Sequence, residues 1–387
     1  MKREQFGIVL LIASAFTGTL AFKLALPAVA FYTRDILKAS MAYLSVISAS
    51  FILARSFSAL FSGLLLERRK SLVYLGAVTM AGNALAVNLY PLTSSWIHVM
   101  GIKVLNGFLN GISWPIAQFV IAVSSPKEIR SRVTALYFIF GNFAGLLGNY
   151  TYALTQNLGL KGQMYLSSAF FFLTTLFMLF SYWLLYERIA PKREKDTGES
   201  KVRIDVRKIL MLSALISLLS AFTSGEITYV YVAETLGMDK GTAAFMIGLI
   251  GFIATLLAYI PSRLADLGSE QKVVIFVSIL AGFSPILAAV KNPITVFLGI
   301  LMAIFAAQTF RPISRSMLAS AKRASAAIGG INAVRNISTT TGQLIFGLVY
   351  SLGEVVVAGV ILKVALLIFA PASLLLLGIV AKIWNSR

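Results

Sequence analysis

Residues 187–208, ERIAPKREKDTGESKVRIDVRK, form the longest polar stretch of a chain that is otherwise dominated by apolar residues. Six apolar segments precede this stretch and six follow it, and each is about long enough to cross a bilayer, which takes ~20 apolar residues. We interpret the stretch as a flexible linker, because it contains Pro191, Gly198 and eight basic residues. The sequence therefore predicts an all-α polytopic membrane protein with 12 transmembrane helices. We expect two pseudo-symmetric six-helix bundles, 1–186 and 209–387, joined by a cytoplasmic linker, 187–208.

The composition supports this fold class and excludes several kinds of site. Of the 387 residues 58% are hydrophobic and only 13% are charged, about half the charged fraction of ordinary globular domains. Cysteine is absent and His98 is the single histidine, so no thiolate or multi-histidine metal site is expected, and no cofactor. The segment from Phe6 to Tyr32 is too long for a signal-peptide core, and we interpret it as the first membrane helix.

Apolar periodicity and loop composition predict the positions of the helices. The predicted segments are 6–31, 39–65, 71–91, 95–123, 133–156, 163–186, 208–233, 241–262, 272–290, 294–317, 325–351 and 355–382.

The distribution of positive charge predicts the orientation. The chain carries 34 Lys and Arg against 15 Asp and Glu, a net charge of +19. With the N-terminus inside, 23 of these basic residues fall in predicted cytoplasmic segments and five in outside segments. Such a bias over short loops orients a membrane protein, so we expect a plasma-membrane protein with both termini in the cytoplasm. Topology and anionic lipid headgroups account for this charge, so nucleic acid is not expected as a partner.

Ionisable residues inside the predicted helices are the strongest clue to function after topology. Charge within hydrocarbon is costly, so such residues usually face a bundle interior or pair with one another. Only one acid, Glu226, falls within a predicted helix. The basic residues away from the ends of those helices are Lys23, Arg55, Lys103, Arg311, Arg335 and Lys363. This imbalance favours an anionic or zwitterionic small-molecule substrate, because Arg offers two-pronged hydrogen bonds to carboxylate or phosphate.

Four of these basic residues are candidates for substrate binding. Arg335 is the first choice, because it lies near the middle of predicted helix 11 and shares a polar face with Asn332. Its alternative role is a structural ion pair. Arg55 lies in the inner half of predicted helix 2, and Lys103 shares a face of predicted helix 4 with Asn110. Arg311 either lines the inner mouth of the substrate path or extends to the lipid headgroups. Lys363 is expected to extend to the headgroups.

Lys23 and Glu226 are predicted to couple or gate transport. Counting along continuous helices puts Lys23 ~24 Å and Glu226 ~26 Å from the inner ends of predicted helices 1 and 7. Because these helices are counterparts in the two halves, we hypothesise that the two side chains pair near the outer side of a central cavity. The alternative is that each reaches the outer headgroups independently.

Two predicted helices carry small residues at about four-residue spacing. Such residues let helix backbones approach closely in lipid, where packing drives association. We therefore expect tight helix contacts at these positions. The glycines are Gly107 and Gly111 on predicted helix 4 and Gly141, Gly145 and Gly148 on predicted helix 5.

Two predicted loops each carry an acid four residues after a small residue. Glu67 follows Gly63, and Asp266 follows Ser262. An acid there can hold basic residues and helix N-termini in one state and release them in another. We therefore expect Glu67, Arg68 and Asp266 to act in gating, with plain loop charge as the alternative.

These motifs resemble those of the major facilitator superfamily. Gly63-x-x-x-Glu67-Arg68 resembles the start of the loop signature G-x-x-x-D-R-x-G-R-K, although the later Gly is missing. Lys103-x-x-x-Gly107-x-x-x-Gly111 resembles R-x-x-x-G-x-x-x-G with Lys for Arg. The glycines of predicted helix 5 resemble the antiporter motif but lack its Pro. The resemblance implies a rocker-switch secondary transporter that acts as a monomer.

The residues thus favour a secondary active transporter of a small organic or amphipathic anion that works by alternating access, either coupled to protons or exchanging anions. A multidrug/proton antiporter is the first alternative, and a non-transporting receptor or lipid scramblase is an alternative of another class. An enzyme is not expected, because the sequence contains no HExxH motif and no nucleophile–base constellation.

Overall fold

Long apolar segments fold as helices because a helix satisfies its own backbone N–H and C=O groups inside hydrocarbon. The structure, a computed structural model, describes residues 3–68, 70–126, 129–189, 206–319 and 324–385. The helices before the polar stretch are α1 (Arg3–Phe31), α2 (Met41–Arg68), α3 (Leu75–Leu89), α4 (Trp96–Ser124), α5 (Arg130–Leu154) and α6 (Gly159–Leu185). The helices after it are α7 (Val206–Leu219), α8 (Glu226–Leu236), α9 (Lys240–Leu264), α10 (Glu270–Ala289), α11 (Pro293–Ala319), α12 (Ala324–Val349), α13 (Val364–Leu367) and α14 (Ala370–Asn385).

The all-α polytopic prediction is confirmed. Helices coincide closely with the first eleven predicted segments, although the seventh is broken. Within the described ranges, nine helical segments are long and apolar enough to cross a membrane. The lengths of the apolar runs were therefore a sound guide to the helices.

The seventh predicted helix, 208–233, is not continuous. α7 ends at Leu219, a short 3₁₀ turn covers Ala221–Thr223, and α8 begins at Glu226. Gly225 lies between them at φ 73° and ψ −156°, a region that essentially only glycine occupies. The count that put Glu226 ~26 Å along one continuous helix is therefore wrong, because the helix restarts at that residue.

The last predicted helix, 355–382, begins later than expected. Its first part is an antiparallel hairpin of β1 (Glu354–Val357) and β2 (Val360–Lys363), in which Val357 pairs with Val360. The run is rich in β-branched residues, which favour strands, and Ala358 and Gly359 both have positive φ, as a tight hairpin turn requires. Lys363 therefore lies on a strand before the last helix, and its predicted place inside a membrane helix was wrong.

Acidification is expected to loosen this hairpin. Lys291 Nζ donates to Glu354 Oε2 at 3.1 Å, and this bond is the main cause that holds the pKa of Glu354 below its ordinary value of 4.5. A carboxyl group with a lowered pKa stabilises the fold above its ordinary pKa and loses that contribution as the pH falls through the lowered value. Amide hydrogen exchange of residues 354–363, corrected for intrinsic rates, should accelerate below pH ~4. Glu354→Gln should show no such step, and an identical step in that variant would contradict the assignment.

The chain divides into two compact units. Unit 1 comprises Met1–Ala39, Ser50–Glu194 and Lys240–Gly248, and unit 2 comprises Ser40–Ala49, Lys195–Asp239 and Leu249–Arg387. In unit 1, α1 packs against α5 and α6, and α3 packs against α4 and α6. Buried hydroxyls join these helices: Thr17 and Thr174 hydrogen-bond at 2.8 Å, and Ser167 Oγ donates to Ala21 O at 2.8 Å. Such bonds between membrane helices contribute about 0.6 kcal/mol each.

Small residues also bring helices together in unit 2. A Cβ on Gly299 of α11 would lie 2.6 Å from Ser284 O of α10. A Cβ on Gly342 of α12 would lie 2.7 Å from Leu218 O of α7. The first residues of α2 belong to this unit, and a side chain at Gly347 would overlap Ser45. Unit 2 is therefore held by backbone-to-backbone contacts of α10 with α11, α7 with α12, and the start of α2 with α12.

The glycines of α4 predict a test of packing within unit 1. A Cβ at Gly111 would overlap the Ser58 hydroxyl and the Arg55 carbonyl of α2, whereas a Cβ at Gly101, on the same helix, would meet nothing within 4 Å. Overpacking typically costs about 1–3 kcal/mol, while Gly→Ala in an open helical position stabilises by about 1 kcal/mol. Gly111→Ala should lower the melting temperature in detergent, and Gly101→Ala should leave it unchanged or raise it. Equal melting temperatures would contradict the close approach.

Candidate functional site

Unit 1 contains a cavity of about 220 Å³ that is rich in aromatic and polar side chains. It is framed by α1, α2, α4 and α5. Among the described residues that line it, Arg55 alone is charged. The lining residues are Ala15, Thr19, Phe22, Phe51, Arg55, Asn110, Trp114, Gln118, Tyr137, Phe138, Gly141 and Asn142.

Arg55 lies on α2, inside a candidate membrane span, Met41–Leu60. Its side chain is exposed and lines the cavity. Within hydrocarbon a charged group needs water, a partner or a ligand. The cavity meets that requirement, so Arg55 presents a guanidinium to any molecule that enters.

Lys103 lies in a smaller, separate chamber of about 20 Å³, on the other side of Asn110. The side chain is 4% exposed. Its Nζ lies 5.6 Å from the centre of the Phe51 ring and 5.7 Å from that of Tyr90, distances at which aromatic faces attract a cation. The chamber itself holds about one water molecule, and the predicted contact of Lys103 with substrate stays a prediction. The shared residues Phe22, Phe51 and Asn110 connect it to the larger cavity.

A chain of buried asparagines runs beside this chamber. Asn110 Nδ2 donates to Asn83 Oδ1 at 2.8 Å and to Asn106 O at 2.8 Å. Its Oδ1 accepts from Trp114 Nε1 at 2.8 Å. Asn106 Oδ1 accepts from Tyr90 at 3.2 Å. Buried amides are costly unless they are hydrogen-bonded, so these residues hold one another and fix the indole of Trp114.

In unit 2, Arg335 and Arg315 form a cationic cluster on α12 and α11. Arg335 is half-buried, and the charge of Arg315 is near enough to act on it. Arg315 Nη2 donates to Asn332 Oδ1 at 3.1 Å. Within the described ranges, Arg315 Nε is buried and has no hydrogen-bond partner. Arg335 and Asn332 thus belong to one cluster, and Arg315 is part of it.

Arg311 lies one turn before Arg315 on α11, beside Pro312. Its side chain is exposed. Its two predicted roles, at the mouth of the substrate path and at the headgroups, stay predictions.

Glu226 starts α8 and is 1% exposed. Ser48 Oγ donates to its Oε2, and its own N–H donates to Ser48 Oγ at 3.1 Å. Gln343 Nε2 donates to Ser224 O at 3.0 Å, which satisfies a carbonyl that the break frees. The N-terminus of a helix favours negative charge. The break therefore creates a polar centre in unit 2 that holds a buried carboxyl group.

Lys23 is half-buried on α1 and packs along the glycines of α5. A Cβ on Gly148 would lie 2.8 Å from Lys23 Cβ and 2.6 Å from Leu20 O. At Gly145 and Gly141 the nearest atoms are 3.9 Å and 3.6 Å away, which is ordinary contact. The close approach of α5 to α1 is therefore confined to Gly148.

The predicted gating residues cannot be assigned contacts. Glu67 and Arg68 fall at the end of α2, and Asp266 follows α9. The side chains of all three lie outside the described residues, so their gating role stays a prediction.

Sequence reasoning missed three residues of these centres. Asn83 lies on the apolar helix α3, where Thr79 and Asn88 are the other polar residues, and Thr79 one turn before it makes too short a polar face to mark a site. Ser48 and Gln343 lie on α2 and α12, far from Glu226 in sequence. The Ser224–Gly225 pair inside an apolar run was the one local signal of the break.

Comparison with known proteins agrees with this architecture. The structure is similar to the nucleoside transporter NupG, at 16% identity and a TM-score of 0.71 over 100% of both chains. It is similar to a bacterial homolog of the human lysosomal transporter Spinster, at 10% identity and a TM-score of 0.73 over 100% of this chain and 97% of that one. It is also similar to the peptide transporter POT in complex with sulfate, at 11% identity and a TM-score of 0.78 over 98% and 94%.

At these identities the likeness shows the fold alone. No curated protein matches the sequence. A family model described as Major Facilitator Superfamily matches residues 11–310. The chain is therefore a non-enzymatic membrane transporter that belongs to the Major Facilitator Superfamily.

Proposed function

We propose that this transporter is a secondary active transporter that moves a small organic or amphipathic anion by alternating access. The observation that carries the proposal is Arg55, a guanidinium exposed in the cavity of unit 1 with aromatic and amide neighbours. Arg binds carboxylate or phosphate through two parallel hydrogen bonds. Since the similar structures are named for nucleosides and peptides among other substrates, the cavity rather than the likeness argues for an anion.

The cationic cluster of unit 2 supports the same ligand chemistry. Two guanidinium groups that repel each other favour an anion between them, and Arg315 Nε has a hydrogen to donate. We propose that Arg335, Arg315 and Asn332 bind the acid group at one stage of transport, while Arg55 binds it at another. Lys103 then acts through Asn110, and Arg311 lines the inner mouth of the substrate path.

Coupling is proposed to involve Glu226, the buried acid of unit 2. A carboxyl group that accepts from Ser48 at the start of a helix can exchange a proton when the opposing groups move. Exchange of one anion for another needs no such group. A pH gradient separates the two, because proton coupling makes uptake depend on its direction, whereas exchange responds to anion on the far side.

The pairing of Lys23 with Glu226 stays a prediction, and exchanging their charges tests it. Lys23→Glu and Glu226→Lys should each reduce uptake strongly, since each leaves two like charges. The double variant should recover a measurable part of the uptake, because it restores an opposite pair. Uptake into proteoliposomes, normalised to inserted protein, checks this. Absence of recovery in a double variant that keeps its melting temperature would count against pairing.

We also propose that the chain acts as a monomer in the plasma membrane with both termini in the cytoplasm. The 23-to-5 distribution of basic residues supports the orientation. Accessibility of cysteines introduced one at a time at Ser386 and Lys161 would test it in intact cells. Labelling at Ser386 by an impermeant reagent would contradict the proposed orientation, and labelling at Lys161 would support it.

The decisive experiment is uptake and counterflow in proteoliposomes that contain the full chain. The panel pairs organic anions with lipophilic cations, with and without a pH gradient. Saturable anion flux that is competed by other anions supports the proposal. Flux of lipophilic cations alone would favour the multidrug/proton antiporter. Protein-dependent phospholipid exchange between leaflets without solute flux would favour a scramblase.

A further inference from the structure

We propose that the transported anion carries a planar aromatic ring, which packs on Trp114 while its acid group binds Arg55. This inference rests on the proposed function and narrows its substrate class. Both residues line the same cavity of unit 1. The argument depends on why Trp114 is held where it is and on what else surrounds it.

The polar edge of the Trp114 indole is already satisfied. Its Nε1–H donates to Asn110 Oδ1 at 2.8 Å. Both hydrogens of the Asn110 amide are used as well, one on Asn83 and one on the Asn106 carbonyl. Asn83 in turn donates to Thr79 O at 3.2 Å. Because this amide chain is hydrogen-bonded internally, it holds the indole in position and leaves the ring itself as an apolar surface for a ligand.

The six-membered ring of the indole occupies space left by a missing side chain. A Cβ on Gly18 of α1 would lie 2.7 Å from Trp114 Cη2 and 3.0 Å from Cζ2. The ring therefore occupies space that any residue other than glycine would fill. Held at its N–H and along its six-membered ring, the half-buried indole is a rigid wall of the cavity. Rigid aromatic walls bind at low cost in conformational entropy.

The rest of the lining suits an aromatic acid better than an inorganic anion. Phe22 and Phe51 pack with ring centres 5.5 Å apart, and Tyr137 and Phe138 line the cavity from α5. A small, strongly hydrated anion would gain nothing from these rings. The volume of about 220 Å³ lies below the ~300–1,000 Å³ typical of sites for drug-sized ligands, so a single ring with a short acid arm is the expected size.

Matched acids test the proposal in the full chain in lipid nanodiscs by calorimetric titration. The probes are benzoate with cyclohexanecarboxylate, 3-phenylpropionate with 3-cyclohexylpropionate, and benzyl alcohol as the uncharged ring. Aromatic packing beyond area burial predicts that at least one aromatic acid binds about two- to tenfold more tightly than its saturated partner. Benzyl alcohol should bind far more weakly than either aromatic acid.

Variants link the preference to Trp114. Trp114→Leu should abolish the difference in affinity between each aromatic acid and its saturated partner, and Trp114→Phe should retain part of that difference. Trp183→Leu is the matched control, because Trp183 is exposed on α6 and absent from the cavity lining. Asn110→Leu should also reduce the preference, as expected of a positioning residue. A thermal melt of each variant checks that it is folded.

The outcomes separate this inference from the proposed function. Equal binding of the aromatic and saturated acids in both pairs would overturn the inference and leave anion transport standing. An aromatic preference that persists in Trp114→Leu would overturn the role of Trp114. Binding of benzyl alcohol as tightly as benzoate would overturn the role of Arg55. Failure of all four acids to bind would overturn the proposed function together with the inference.

Discussion

Replacing Gly225 with alanine is expected to destabilise the protein more than any other single methyl addition considered. Gly225 combines a backbone conformation that essentially only glycine adopts, at about 1–3 kcal/mol of strain for other residues, with a close neighbour. An added Cβ would lie 2.7 Å from Ser48 Oγ and 2.9 Å from Ser48 Cβ. The two effects together should cost about 3 kcal/mol or more. Thermal unfolding in detergent measures the loss.

Gly237→Ala is the matched control for this prediction. Gly237 ends α8 with φ 62°, and a Cβ there would meet nothing within 4 Å. It should therefore cost only the left-handed backbone penalty of about 1–2 kcal/mol. If both variants lost the same stability, the close approach of Ser48 to the break would be contradicted.

Replacing Arg55 with alanine is expected to have the largest effect on function. A bound anion would bury the Arg55 guanidinium that lines the cavity. Truncating one partner of a buried charge-assisted pair costs about 2–5 kcal/mol, so the affinity for a transported anion should fall at least ~30-fold. The affinity of Arg55→Lys for the anion should lie between that of the unaltered protein and that of Arg55→Ala, because lysine keeps the charge and loses the two-pronged geometry. Titration with the best-binding acid and uptake in proteoliposomes measure both effects.

Arg132→Ala serves as the control, since it also removes one guanidinium from unit 1 but from an exposed position on α5 outside the cavity lining. Its affinity for the acid should match that of the unaltered protein. An equal fall in Arg132→Ala and Arg55→Ala would indicate that net charge, rather than a specific contact, attracts the anion.

Most of the helices were predictable because hydrophobic length directly reflects the thickness of a bilayer. The break before Glu226 was not, since apolar residues flank it on both sides and hydropathy does not report a positive φ at Gly225. The β1–β2 hairpin was not predictable for the same reason, because hydropathy does not distinguish an apolar strand from a membrane helix. Val355 to Val357 and Ile361 are as apolar as a membrane helix, and only the Ala358–Gly359 turn signals a strand pair.

The candidate site was predictable where polar residues recur on one helix. Asn332 and Arg335 share α12, and Lys103 and Asn110 share α4, so their spacing marks a common face. The residues of other helices that contact these side chains could not be predicted from spacing. Asn83 joins the amide chain beside the Lys103 chamber through packing of α3 on α4, and Arg315 joins Arg335 through packing of α11 on α12. Such partners depend on tertiary contacts that one sequence does not encode in its periodicity.

The amide chain of Asn83, Asn106 and Asn110 has a consequence for descent. Because each amide hydrogen-bonds to the next, replacing one leaves its neighbours without a hydrogen-bond partner in an apolar interior. The stability lost by replacing two is therefore less than the sum of the two separate losses. A lineage that abandons this arrangement should therefore exchange the three positions nearly together for hydrocarbon side chains. Relatives are expected to carry either the full triplet or none of it, and the tryptophan one turn beyond should come and go with it.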